Sequence, residues 1–223
     1  MSNIADYLTY KSNKCMEFLT KKLTLALLLV SSLTFGQRVY NNVSIDVDYG
    51  ISGVKDPELI DPVHYDFGVR YMFGDTWGIK LDYGFDKFRT QKSPIEMGLN
   101  SHRISAQAAC NLTNLLDPRS YFYNRDFNVL THVGLGYTVQ KSVTLPRAGN
   151  DEIGHIIFGI NPQYSITDNL AVGIDFTGLV HFSQHFWFDG KYTYTDPVFN
   201  GTPNGTSTLI YNLSLGLSYT FGE

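Results

Sequence analysis

The chain has 223 residues, 43% hydrophobic, 14% aromatic and 17% charged, with a formal net charge of −4. That length holds one domain of barrel or sandwich size and leaves little room for a second, and the mildly acidic balance gives no reason to expect nucleic acid as a partner. Charged residues fall below the roughly 25% of ordinary soluble domains, as suits a chain whose outside meets lipid.

Residues 1–15 carry no pattern. From Met16, an alternative start, the text reads as a secretory signal: Lys21-Lys22, the apolar run Leu23 to Leu33, then Thr34-Phe35-Gly36-Gln37. The apolar run is shorter than the roughly 20 residues a spanning helix needs. Cleavage is expected after Gly36, making 1–36 the signal peptide and 37–223 the barrel domain. No Cys follows the cut, which excludes lipoprotein processing. Only Cys110 remains afterwards, so stability must come from the sheet rather than from an internal disulfide.

The mature part alternates with period two throughout, the mark of strands with unlike surroundings on their two faces. Val43, Ile45, Val47 and Tyr49 alternate with Ser44, Asp46 and Asp48. Val63 to Phe73 sets Tyr65, Phe67, Val69 and Tyr71 against His64, Asp66, Gly68 and Arg70. Trp77 to Phe85 sets Ile79, Leu81 and Tyr83 against Gly78, Lys80, Asp82, Gly84 and Asp86. Residues 99–111 set Ile104, Ala106, Ala108 and Cys110 against Arg103, Ser105, Gln107 and Ala109. Runs at 127–140, 155–164 and 170–176 follow the same rule, with His132, His155 and Asp175 on the polar side.

The last run, Leu209 to Phe221, is the clearest. Leu209, Tyr211, Leu213, Leu215, Leu217, Tyr219 and Phe221 share one face, and Ile210, Asn212, Ser214, Gly216, Ser218 and Thr220 the other. The expected fold is all-β: an eight-stranded antiparallel up-and-down transmembrane barrel, with lipid outside and a small polar interior. The connectors at 50–62, 86–98, 141–152 and 183–207 read as long outer loops, and those at 74–76 and 167–169 as tight inner turns. The inner connection at 112–126 breaks the rule, being long and aromatic. An even strand number puts both termini on the periplasmic side. Gly68, Gly78, Gly84, Gly134, Gly136, Gly159, Gly173 and Gly216 all take the polar parity, where a narrow, tightly curved lumen needs small residues.

Two resemblances follow. Ser214, Gly216, Tyr219 and Phe221 resemble the C-terminal assembly signal of outer-membrane barrels, which implies delivery to the barrel-assembly machinery. The stretches Phe127–Tyr137, Phe158–Tyr164, Trp187–Gly190 and Leu209–Leu217 are similar to the small barrels of the outer membrane protein A type, in the form common in Bacteroidetes. That family usually continues into a peptidoglycan-binding domain. This chain stops at Glu223, so the resemblance implies the barrel's role alone.

Candidate site residues are the inward Asp46, Asp48, Asp66, Asp82 and Asp175 facing Arg70, Lys80 and Arg103. These are expected to pair as a fixed polar plug; the alternative is a gate that swaps ion-pair partners. His64, His132, His155 and His181 share the inward parity but lack paired-ligand spacing, so no metal and no cofactor is assigned. His181-Phe182-Ser183 resembles the His-x-Ser of lipid A deacylases, with Asp196 downstream as the orienting acid. The strand parity, however, puts His181 and Ser183 inside, and Gln184 stands where those enzymes carry Asn. Asp56, Glu58 and Asp61 in the first loop could hold Ca²⁺ but sit among ordinary Asp-Pro turn formers. The last loop, Phe186 to Thr208, could meet a ligand or partner. Tyr71, Phe73, Trp77, Tyr219 and Phe221 are expected in an interfacial girdle. The sequence thus predicts a monomeric, non-enzymatic outer-membrane barrel with lipopolysaccharide as neighbour and a structural or surface-interaction role. Lipid A acyl hydrolysis and a small-solute or ion channel are the alternatives.

Overall fold

The computed structural model describes residues 42–55, 59–91, 94, 96–117, 126–193 and 205–221. The signal peptide expected at 1–36 lies outside the described residues. Eight antiparallel strands close into a barrel in chain order: β1 (Asn42–Val54), β2 (Leu59–Met72), β3 (Trp77–Gln91), β4 (Met97–Asn111), β5 (Phe127–Ser142), β6 (Asn150–Ser165), β7 (Leu170–Gln184) and β8 (Thr206–Phe221). Closure is made by β1 and β8, paired from Val43↔Phe221 to Val54↔Ile210, which leaves no free sheet edge.

The period-two pattern carries through the wall. Between the strand ends the outward face is apolar and bare: Leu81, Leu135 and Leu215 are 57%, 67% and 67% exposed. The inward face is polar and buried, as every second residue of β1, β4 and β8 illustrates. Phe73, Trp77, Tyr219 and Phe221 ring one end of the apolar belt. Tyr49, Tyr65 and Phe85 ring the other, with centroids 5.0 and 6.3 Å apart. On β3, Trp77 and Phe85 mark the two rings eight residues apart, which at about 3.3 Å per residue and a tilt of about 40° spans about 20 Å, near the ~25 Å of an outer-membrane apolar band.

Beyond the second ring the strands continue, and this corrects the expected loops. Much of 50–62, 86–98 and 141–152 is strand, so those three outer connections are short tips; only the stretch from Gln184 to Thr206 is long. The alternation did not disclose this because its sense reverses there. Inward positions now hold Val54, Phe88, Leu99 and Ile153, all buried, while Lys87 and Lys141 stand outside. A search for apolar-out strands stops where the wall becomes an ordinary apolar-in barrel. Irregular pairing adds to the difficulty. The register slips between Gly50/Ser52 and Asp61/His64, where Pro62 sits at the bulge that a proline tolerates.

At the opposite end, the aromatic inner connection begins with one helical turn, α1 (Leu112–Leu116), capped by Asn111 Oδ1 accepting from Asn114 N at 3.2 Å. The Tyr121, Phe122 and Tyr123 cluster lies outside the described residues.

Candidate functional site

The inward side chains of the middle of the barrel form several hydrogen-bonded, ion-paired groups side by side. Arg70 lies 3.2 Å from Asp46 and donates to Ser218 Oγ at 2.8 Å, while Ser218 donates to Asp46 at 2.6 Å. Arg103 forks between two carboxylates, donating to Asp66 Oδ2 at 2.6 Å and Asp86 Oδ2 at 2.7 Å, the planar geometry guanidinium favours. Gly84 makes room for it: a Cβ there would strike the Arg103 guanidinium. Lys80 Nζ stands 3.8 Å from Asp66. Asp175 accepts from Asn161 Nδ2 at 3.1 Å and from Thr177, with His132 Nε2 at 3.4 Å. All eight network residues expected from the sequence are therefore inside and buried.

Asp86 belongs with them, as a second carboxylate on Arg103. It also pairs with His64 Nδ1 at 2.7 Å and accepts from Ser52. Its signal is in the sequence, since it shares the parity of Lys80, Asp82 and Gly84, and β3 continues past it to Gln91.

Toward the tips the network gives way to neutral pairs. His155 lies between Ser105 at 3.0 Å and Thr138 at 2.8 Å. His181 meets Gln184 at 3.0 Å and Thr138 at 3.4 Å. Beyond these, an apolar cluster of Val54, Phe88, Leu99, Ile157, Leu179 and Ile210 seals the lumen, with Phe186 and Phe188 inserted from the chain after β7.

That insertion is a small hairpin. Trp187 N donates to Lys191 O at 2.7 Å, and Phe186 bridges Tyr192. Asp151 of β6 holds its base by accepting from His185 N at 2.6 Å and Phe186 N at 3.1 Å. Ser142 donates to Gly190 O at 2.6 Å, and Thr144 donates to Asp189 O. Phe88 and Phe188 meet edge to face, 4.9 Å between centroids. The aromatics Phe186 and Phe188, expected on a ligand-facing loop, instead fill the mouth. Residues 194–204 lie outside the described residues.

The hydrolase arrangement does not assemble. His181 points into the lumen, 1% exposed, but Ser183 is exposed and does not share its side of the wall. This corrects the parity that put both inside: Ser183 takes φ 59° at a register slip between His181 and Gln184, and a bulge resets which residues face in. Asp196 lies outside the described residues. Asp61 of the proposed Ca²⁺ loop is a buried β2 residue, and Asp56 and Glu58 lie outside the described residues. No three His, Cys, Asp or Glu side chains converge to hold a metal among the described residues. Of the assembly-signal set, Ser214 and Gly216 face the lumen, and Tyr219 and Phe221 lie outside, edge to face at 5.0 Å.

No protein-family model and no curated protein matches the chain. Among solved structures the chain is similar to Neisserial surface protein A, with 11% identity over 81% of this chain and 97% of that one and a TM-score of 0.52. It is similar to a major outer membrane protein from Thermus thermophilus as well, with 12% identity over 81% and 99% and a TM-score of 0.52. At such identities the likeness establishes the fold, a closed eight-stranded antiparallel barrel.

Proposed function

We propose that the chain is a non-conducting, non-enzymatic barrel of the bacterial outer membrane, with a structural or surface-interaction role. The reversal of the wall's polarity at the ring of Tyr49, Tyr65 and Phe85 carries this reading. On one side of that ring the outside is apolar and the inside charged, which only lipid makes favourable. On the other side the barrel has an apolar core and a charged exterior, as water demands. The protruding tips are thus a rigid, water-facing extension, directed outward with both termini periplasmic. Lipopolysaccharide surrounds the outer half, and the C-terminal strand engages the barrel-assembly machinery. The charged network and the Phe186–Phe188 seal close the lumen.

The test combines fractionation and electrical recording. The chain should sediment with outer membranes, need detergent for extraction, and give no discrete openings in planar bilayers. Recovery in the soluble periplasm without detergent overturns the membrane reading. Stepwise openings overturn the closed lumen and make the chain a channel.

A further inference from the structure

The buried lumen holds an imbalance of charge. Among the described residues, Asp46, Asp48, Asp66, Asp82, Asp86 and Asp175 face only Arg70, Lys80 and Arg103. His64 and His132 adjoin Asp86 and Asp175. If both histidines carry a proton, one negative charge still stands uncompensated; if neither does, three do. Nearer the tips, buried Asp61 and Asp151 add to the negative side against Arg89. Isolated charge in such surroundings costs several kcal/mol per ion, so a positive partner must be supplied.

The same region contains a polar cavity of about 10 Å³, lined by Asp48, Asp66, Asp82, Asp175, Thr177 and Ser214 together with Lys80, Arg103 and His64, so that four carboxylates face two fixed positive charges there. That is the room of a single water. Three oxygens on its lining residues, Asp66 Oδ1, Asp82 Oδ1 and Ser214 Oγ, have no hydrogen-bond partner among the described residues; Asp66 Oδ1 has only the long ion pair to Lys80 Nζ at 3.8 Å. Asp82 and Ser214 are 5% and 3% exposed. Two of these oxygens are carboxylate, and the third is a hydroxyl that serves equally as a lone-pair donor.

We propose that this cavity is a binding site for one monovalent cation of sodium or potassium size, held by Asp82, Asp66 and Ser214. A divalent metal is disfavoured because no group of three acidic or imidazole side chains among the described residues is arranged to hold one, and Lys80 and Arg103 on the same lining already offset much of the carboxylate charge such ions take. A monovalent ion is served by a water-sized cavity with oxygens on its lining and a local excess of negative charge. The site stabilises the lumen by neutralising the carboxylate that Lys80 and Arg103 leave over. The inference needs the closed, buried lumen and not its placement in a membrane, so it fails separately from the localisation.

The experiment is thermal unfolding of the full chain in detergent, at one ionic strength, in sodium, potassium or choline chloride. The midpoint should stand several degrees higher in sodium or potassium than in choline, by mass action on the folded state. Asp82→Asn should abolish the difference and, in choline, melt above the parent chain, since it removes the excess charge. Ser214→Ala should narrow the difference. Should either variant fail to fold, crystals of the unaltered chain soaked in thallium(I) give an independent reading, with an anomalous peak expected between Asp82 and Ser214. Equal midpoints in all three salts, or no such peak, overturn the site. A midpoint blind to the cation that falls from about pH 5 to about pH 9 also overturns it, assigning the missing charge to a proton on Asp82 or Asp48 among their neighbours Asp66, Asp86, Asp175, His64, His132, Lys80 and Arg103.

Discussion

Arg103 is the side chain on which the lumen turns, because it satisfies two aspartates at once and is only 2% exposed. Replacing it with Met leaves Asp66 and Asp86 buried without their cation, and removing one partner of a buried pair costs about 3–5 kcal/mol. Urea unfolding in detergent should show a loss of that size, and the added change Asp86→Asn should recover part of it. Ser183 poses the opposite case. Its φ of 59° lies where a side chain costs roughly 1–2 kcal/mol, so Ser183→Gly should leave stability unchanged or raise it slightly, and lipid A mass spectra should not differ between the two. Most of this scale was legible in the sequence. Parity alone placed Arg103, Asp66 and the four histidines inside. It misplaced Ser183 because a bulge is a backbone event, and Ser183 itself carries no glycine or proline to announce it.

At the scale of elements, the hairpin after β7 is the piece that period two could not reveal. Its residues contact the barrel through single anchors, Phe186 and Phe188, rather than through an alternating face, and the tie to Asp151 crosses from β6. Phe188 has no exposed surface, so Phe188→Ala should cost about 3–5 kcal/mol, the usual result for a large buried aromatic. Gly190 turns at φ 78°, and a Cβ there would strike Gly98 O. Gly190→Ala should therefore unseat the hairpin, read as faster proteolysis between β7 and β8 with the barrel intact. The β3–β4 tip is tied differently, by Arg89 donating to Phe88 O, Leu99 O, Asn100 Oδ1 and Glu96. The hydrogen bond and charge of Arg89 hold the Glu96 carboxyl below its ordinary range. That tie is complete above the ordinary Glu value and is lost as pH falls through the lowered one. The protection of the Met97 and Gly98 amides, taken relative to their intrinsic exchange rate at each pH, should fall in acid and hold in base.

For the molecule as a whole, the two aromatic rings bound a belt whose outer face is apolar, beyond which the outer face turns polar, and β3 crosses that division within a few residues. Ile79, Leu81 and Tyr83 face out in the belt. Tyr83 closes it with its hydroxyl 2.7 Å from His102 Nδ1, and Phe85 packs 4.9 Å from the same imidazole. Two residues on, Lys87 faces out beside Glu96 at 3.9 Å, a pairing that only water or headgroups would host at an exposed site. Single cysteines at 79, 81 and 87, in a background with both Cys15→Ala and Cys110→Ala, therefore make a depth gauge. In reconstituted vesicles, Lys87→Cys should react with a charged maleimide at a rate near that of a free thiol. Ile79→Cys and Leu81→Cys should be protected until detergent is added. Equal reactivity at all three would place no membrane boundary between Leu81 and Lys87 and would remove the ground for reading the wall as lipid-facing. In intact cells the same Lys87→Cys chain settles direction: labelling by an impermeant reagent without permeabilisation puts the tips outside, and labelling only after it puts them in the periplasm.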